Sequence, residues 1–122
     1  MKNQYKQFDV VQVDLNPIIG SEQSGVRPCI VLQTNAVEDV CKTTIIAPLT
    51  TKGLDYFYPY EVEVVKSKEN GLKMTSKIKM NHIRSIDRRR ILHKIGTLEK
   101  EYEGLVFGAL DIVLDRLRDF RN

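Results

Sequence analysis

Hydrophobic and polar positions in this chain repeat at two different periods, and the change of period divides it into two parts. From Phe8 to Leu15 the pattern is period two, with Val11, Val13 and Leu15 on one side, which predicts a strand. Cys29 to Leu32 and Ile45 to Leu49 are short, nearly continuous apolar runs rich in branched residues, as in strands buried on both faces. Pro48 has no N–H to give a ladder, so that strand is expected to end or bulge there. Tyr60 to Val64 and Lys77 to Met80 alternate again and predict half-exposed strands. The alternation slips at Asn81-His82 before Ile83 and Ile86, the mark of a bulge. Ile91 to Ile95 predicts a last short strand. Gly20 to Gly25, Lys52-Gly53 and Asn70-Gly71 punctuate these runs, and Asn-Gly is a strong hairpin signal.

Beyond Thr97 the period becomes helical. Leu98, Tyr102, Leu105, Val106, Ala109, Val113, Leu117 and Phe120 recur at steps of three and four. Thr97 is the expected N-cap of a helix of about 20 residues, with Glu99 in its first turn. Arg116, Arg118 and Arg121 are expected as its solvated, dipole-favoured end. Many short strands followed by one helix predict an α+β, mainly β fold: a small barrel or strongly curved sheet capped by a C-terminal helix.

Length and composition narrow the class. The 122 residues suffice for one domain, read as spanning 1–122, and 42% hydrophobic with 29% charged residues is ordinary for a folded soluble chain. No apolar run approaches a membrane span, and the residues after Met1 lack the apolar core of a secretory signal. The two cysteines, Cys29 and Cys41, match no zinc or redox spacing and are expected to stay reduced in a cytoplasm. A formal net charge of +3 is compatible with a nucleic-acid or acidic-protein partner.

The least ordinary stretch runs from Gly20 through Ser21, Glu22, Gln23 and Ser24 to Gly25, Val26, Arg27 and Pro28. Glycines permit positive φ, so such a loop can turn N–H groups toward an anion. Arg27, held extended by the following proline, is placed for bidentate phosphate contact. By spacing alone, the ordinary reading is a surface loop with an arginine–carboxylate pair. Thr50 and Thr51 end an apolar strand, where a hydroxyl can donate to a phosphoryl oxygen or cap the next turn.

These segments resemble the MazF/PemK family of toxin–antitoxin endoribonucleases. The resemblance is carried by Val11-Gln12-Val13-Asp14-Leu15-Asn16-Pro17, by Gly20-Ser21-Glu22-Gln23 through Gly25-Val26-Arg27-Pro28, by Ile45 to Thr50, and by Ile83-Arg84-Ser85-Ile86-Asp87 with Arg90-Ile91. It implies an SH3-like barrel of the plasmid-toxin type, acting as a homodimer in the cytoplasm. It implies cleavage of single-stranded RNA without a metal or other cofactor, and restraint by an antitoxin whose acidic segment folds along a basic groove. On the family pattern Arg27 and Thr50 are the catalytic pair, and the loop from Gly20 to Gly25 shapes the RNA site. Ser24 stands where many members have glycine and His82 where they have glutamine, so cleavage specificity does not transfer.

From the chemistry, Glu22 is an easier base than an arginine, and His82 is a further titratable candidate. Gly20, Ser21, Gln23, Ser24, Thr51, Lys77, Lys79, His82 and Arg84 are the expected RNA contacts. For the two lysines, shielding of a sheet edge is the competing reading. Tyr56, Phe57, Tyr58 and Tyr60 either stack on bases or pack the protein. Two other classes remain open at this point: a non-catalytic nucleic-acid-binding module, and a gyrase-poisoning toxin of the same fold.

Overall fold

The computed structural model describes residues 5–17, 19–20, 25–38, 40–116 and 118. Seven antiparallel strands form it: β1 (Asp9–Asp14), β2 (Val26–Val31), β3 (Thr43–Thr50), β4 (Glu61–Val64), β5 (Ser76–Lys79), β6 (Arg84–Asp87) and β7 (Ile91–Thr97). A single helical turn, α1 (Asn35–Glu38), follows β2, and α2 (Glu103–Val113) follows β7. The sheet order is β4-β5-β3-β2-β1-β7, with β6 branching from β3. The path is open, with β4 and β7 at its ends, and the mainly β architecture with a C-terminal helix is the fold class expected. The gap is spanned by the loop after β4: Thr97 N donates to Glu69 O at 2.9 Å.

That loop also overrides the hairpin signal of Asn70-Gly71. Gly71 has φ +71°, and a Cβ there would lie 2.3 Å from the Ile95 carbonyl oxygen, so only glycine lets the loop meet β7. Asn70 is fully buried, and its side chain serves Ser67 N, Leu72 N, Val65 O and the Glu99 carboxylate. The dipeptide therefore plugs the sheet's open side instead of turning a short hairpin.

The strand alternation sorts two cores onto the two faces of the sheet. Val10, Ile30, Ala47, Leu49, Val62, Val64 and Ile78 point to one face, which Val106 and Ala109 of α2 cover. Val11, Val13, Leu15, Cys29, Val31, Ile46, Ile86 and Ile91 build the other. β1, β2 and β3 are thus buried on both faces; the apolar runs of β2 and β3 imply this, whereas β1 reads as period two and is buried on its second face by Val10.

β3 holds both β6 and β5 on one edge. Ile46 faces Arg84, and unbroken pairing would place Asn81 opposite Leu49; instead Ile78 is there. The expected bulge is this three-residue excursion, a 3₁₀ turn at Met80–His82. Pro48 does not end its strand. It pairs with Cys29 on one edge and falls in the interval between β6 and β5 on the other, where no ladder N–H is needed.

The C-terminal helix is shorter than its periodicity predicts. Thr97 is the last residue of β7, and Leu98 N still donates to Phe8 O. Glu99 is extended, and its carboxylate accepts from Ser67 Oγ and Asn70 Nδ2, so it caps no helix. A 3₁₀ turn at Lys100–Tyr102 leads into the 11 residues of α2. Leu105, expected on the apolar stripe, is 58% exposed, because the inward line runs through Val106, Ala109, Leu110 and Val113. Arg116 is exposed, as expected of a solvated end, and pairs with Asp111. Leu117, Phe120 and Arg121 lie outside the described residues.

Candidate active site

The face of the sheet that carries the second core changes character toward one end. Arg27 lies two residues before Cys29 on β2, Thr50 four residues after Ile46 on β3, and Arg84 opposite Ile46 on β6. Side chains alternate along strands, so all three continue the face of the second core, at its polar rim. The β2–β3 register, continued two residues beyond Cys29 and Pro48, sets Arg27 opposite Thr50. A side-chain bond fits this: Arg27 Nη1 donates to the Leu49 carbonyl oxygen at 3.3 Å. Arg27, Thr50 and Arg84 are all half-buried.

Cys29 reports on the same region. Burial pushes its thiol up to about 12, against the opposing pull of the Arg27 and Arg84 guanidinium charges. It is a neutral core side chain and not a nucleophile. Both cysteines are free thiols.

The loop between β1 and β2 is closed at its base by its own backbone. Leu15 N donates to Gly25 O at 3.0 Å, and Gly25 N to Asn16 Oδ1 at 3.2 Å. Gly20 and Gly25 have φ of +60° and +74°, the left-handed geometry that the glycines were expected to provide. Arg90 Nη1 donates to the carbonyls of Asp14 and Asn16, fixing where the loop leaves β1. Ser21, Glu22, Gln23 and Ser24 lie outside the described residues, so the base and three of the RNA contacts expected from the sequence have no structural placement.

Lys77 and Lys79 also lie on this polar face, since Lys77 pairs with Thr50 across β3 and β5. Their surroundings were not legible in the sequence. Lys77 is only 5% exposed, and its ammonium donates to Gly53 O at 2.8 Å, Tyr56 O at 3.1 Å and Glu61 Oε1 at 2.9 Å. Lys79 Nζ lies 2.9 Å from Glu61 Oε2. β5 sits between β3 and β4, so these lysines shield no sheet edge. Burial pushes the Glu61 carboxyl up, but hydrogen bonds from Lys77, Lys79 and the Tyr58 N–H prevail and hold it down to about 2. Glu61 is therefore buried where simple alternation made it a solvent-facing position.

Thr51 is exposed beside Thr50, whose Oγ1 accepts from Lys52 N at 3.1 Å and so caps the following turn. His82 is half-buried in the 3₁₀ turn between β5 and β6. Arg89 pairs with Asp87 in solvent. A groove of about 590 Å³ opens elsewhere, lined by Gln12, Pro28, Thr51, Met74 and His93 among others. Arg27 and Thr50 are not among the residues that line it, although their neighbours Pro28 and Thr51 are. Among the described residues, no group of three or more His, Cys, Asp or Glu is gathered to hold a metal ion. Among the same residues, no helix is long and apolar enough to cross a membrane.

Comparison with known proteins places this geometry in context. The family described as PemK-like, MazF-like toxin of type II toxin-antitoxin system matches residues 6–114. Endoribonuclease EndoA of Bacillus subtilis is 38% identical over 109 residues, covering 89% of this chain and 93% of its own. Among solved structures, MazF from Deinococcus radiodurans superposes with a TM-score of 0.77 at 26% identity, covering 91% of this chain and 96% of that one. A MazE-MazF structure from the same organism aligns with a TM-score of 0.70 at 24% identity, over 91% and 96% of the two chains.

Proposed function

The chain belongs to the PemK-like, MazF-like toxin family of type II toxin–antitoxin systems, and from that premise we propose that it is a cytoplasmic endoribonuclease that cleaves single-stranded RNA without a metal ion and is restrained by a cognate antitoxin. The observation that carries this reading is the convergence of Arg27 and Thr50. Two adjacent strands carry a guanidinium and a hydroxyl on one sheet face, and Arg27 Nη1 donates to the carbonyl of Leu49, the residue before Thr50.

RNA supplies its own nucleophile. The 2′-oxygen attacks the adjacent phosphorus as its proton passes to a base. The bond from phosphorus to the 5′-oxygen breaks as that oxygen is protonated, leaving a 2′,3′-cyclic phosphate and a 5′-OH. The protein has to hold the backbone in line, move these protons and offset charge that gathers on the non-bridging oxygens. Arg27 suits the charge work because its planar fork can meet two oxygens at once. Thr50 adds a neutral hydroxyl donor to the same group. Glu22, in the loop that begins at Gly20, is the chemically simplest acceptor for the 2′-OH proton. Arg84 extends the positive rim along the strand that follows the 3₁₀ turn.

The same surface supports a reading of the partners. The chain carries a formal net charge of +3, and an antitoxin segment rich in acidic residues would compete with RNA for the Arg27 and Arg84 rim. The chain is proposed to act as a homodimer, as members of the family do.

The test is brief expression followed by sequencing of RNA ends that carry a 5′-OH. Sharp accumulation of such ends at one short sequence, reproduced with purified protein in EDTA, is the expected result. Uniform ends, or cleavage that EDTA stops, would sink the metal-free mechanism.

A further inference from the structure

We infer that Tyr56, Tyr58 and Tyr60 form a stacking platform for an unpaired base of the substrate, and that Lys77 is the positioning residue that holds this platform in register with Thr50. This rests on the endoribonuclease reading and adds a base-recognition site to it.

The segment after Thr51 alternates. Tyr56 and Tyr58 meet edge to face at 4.8 Å, and Tyr58 and Tyr60 stack at 5.4 Å with planes 11° apart. Phe57, between them in sequence, is half-buried, and the Lys77 ammonium lies 5.4 Å from its ring centroid. Tyr56 is 60% exposed and Tyr58 48%. Leaving two adjacent aromatic rings this far in water forgoes a substantial hydrophobic gain, which core packing would have collected.

The ladder is firmly held. Lys77 Nζ ties it at the carbonyls of Gly53 and Tyr56. Glu61 Oε1 accepts from Tyr58 N at 3.0 Å, and Glu61 N donates to Tyr58 O at 2.9 Å. Gly53, at φ +68°, would bring a Cβ to 3.3 Å from Lys77 Nζ, so the turn closes tightly on the ammonium. Lys77 is also the direct cross-strand partner of Thr50. One side chain thus joins the strand position that carries the proposed catalytic hydroxyl to the loop that carries the rings. Every base offers a flat π-face, and tyrosine pairs a flat apolar face with a hydroxyl that tolerates water. A rigid aromatic ladder five residues beyond Thr51 is therefore suited to a base flanking the scissile linkage, more than to an aliphatic protein surface.

The experiment compares wild type, Tyr58→Ala, Tyr58→Phe and Lys77→Met on a short single-stranded RNA spanning a mapped cleavage site. Stacking of one base on an aromatic ring is worth about ten-fold or more in affinity. Tyr58→Ala is expected to raise KM by about ten-fold with the loss falling on KM and not on kcat, and Tyr58→Phe to restore it. Lys77→Met should produce the same KM loss, and the double variant with Tyr58→Ala should lose no more than either alone, because both act through one platform. If Lys77→Met does not fold, Lys77→Arg with Tyr58→Ala completes the same cycle. A 2-aminopurine base beside the cut, in an oligonucleotide blocked by a 2′-deoxy sugar there, should be quenched by wild type and not by Tyr58→Ala. An unaltered KM and undiminished quenching in Tyr58→Ala would overturn the platform. So would normal cleavage combined with escape from inhibition by an acidic peptide, which would assign the rings to a protein contact. A wild-type chain that cuts no RNA defeats the endoribonuclease reading itself, whereas wild-type cleavage with an indifferent Tyr58→Ala defeats only the platform.

Discussion

Two cations on the same face of the sheet, Arg27 and Lys77, stand on either side of Thr50. Arg27 lies on the neighbouring β2, and Lys77 pairs with Thr50 on β5. Arg27 is half-buried at the rim, and its guanidinium donates to the Leu49 carbonyl on the neighbouring strand. Lys77 is buried, its three donors directed at two carbonyls and a carboxylate. The difference teaches how position sets the role of a positive charge. A buried cation needs compensating partners, and once it has them it fixes structure. A cation at a rim can also meet a solvent-borne phosphate.

The largest effect should fall on Arg27. Arg27→Ala is expected to lower RNA cleavage by at least ~10²–10³-fold, the usual consequence of deleting a donor to developing negative charge. Thr50→Ala should also abolish growth arrest, and neither change should move the thermal melt appreciably. Cleavage at the normal rate by either variant would remove it from the active site.

Lys77→Met, unlike Arg27→Ala, should also lower stability in urea unfolding. It leaves Glu61 buried with Lys79 as its remaining ionic partner, a loss of about 3 kcal/mol. A midpoint shift too small to measure would mean that the buried pair contributes little.

Acid titration sharpens the contrast further. The Glu61 carboxyl is held near pKa 2 in the folded chain, below its unfolded value of about 4.3. The folded state therefore binds this proton less readily than the unfolded state. The resulting stabilisation is present above about pH 4.5 and is lost as pH falls toward 2, on the order of 2–3 kcal/mol in all. Stability measured across that window should fall more steeply for wild type than for Glu61→Gln, and parallel curves would refute the assignment.

Much of the strand plan was legible because alternation responds directly to burial on one face or both. β1, β2, β3, β4, β5 and β7 all appear close to their expected positions. β6 was expected as the part of the β5 strand beyond a bulge, and it proves a separate strand whose Arg84 and Ser85 pair in register with Ile46 and Ile45. The helix was overextended because periodicity does not register that Leu98 remains bonded to Phe8. At the candidate site, the sequence offered Arg27 and Thr50 as motif residues, but the carboxylate that binds Lys77 and Lys79 was not legible. Glu61 lies sixteen residues before Lys77, and only strand pairing makes them neighbours.

Sequence alone determined the strand alternation, the positive-φ glycines of the loop and the pairing of an arginine with a threonine as candidate chemistry, since each is a local consequence of side-chain type. Tertiary structure alone decided which lysines are buried, that Asn70-Gly71 plugs an open sheet, and that three tyrosine rings stand against one another. Those outcomes depend on desolvation and on contacts between segments far apart in the chain, and a charge or a ring acquires its role only from the surroundings that folding gives it.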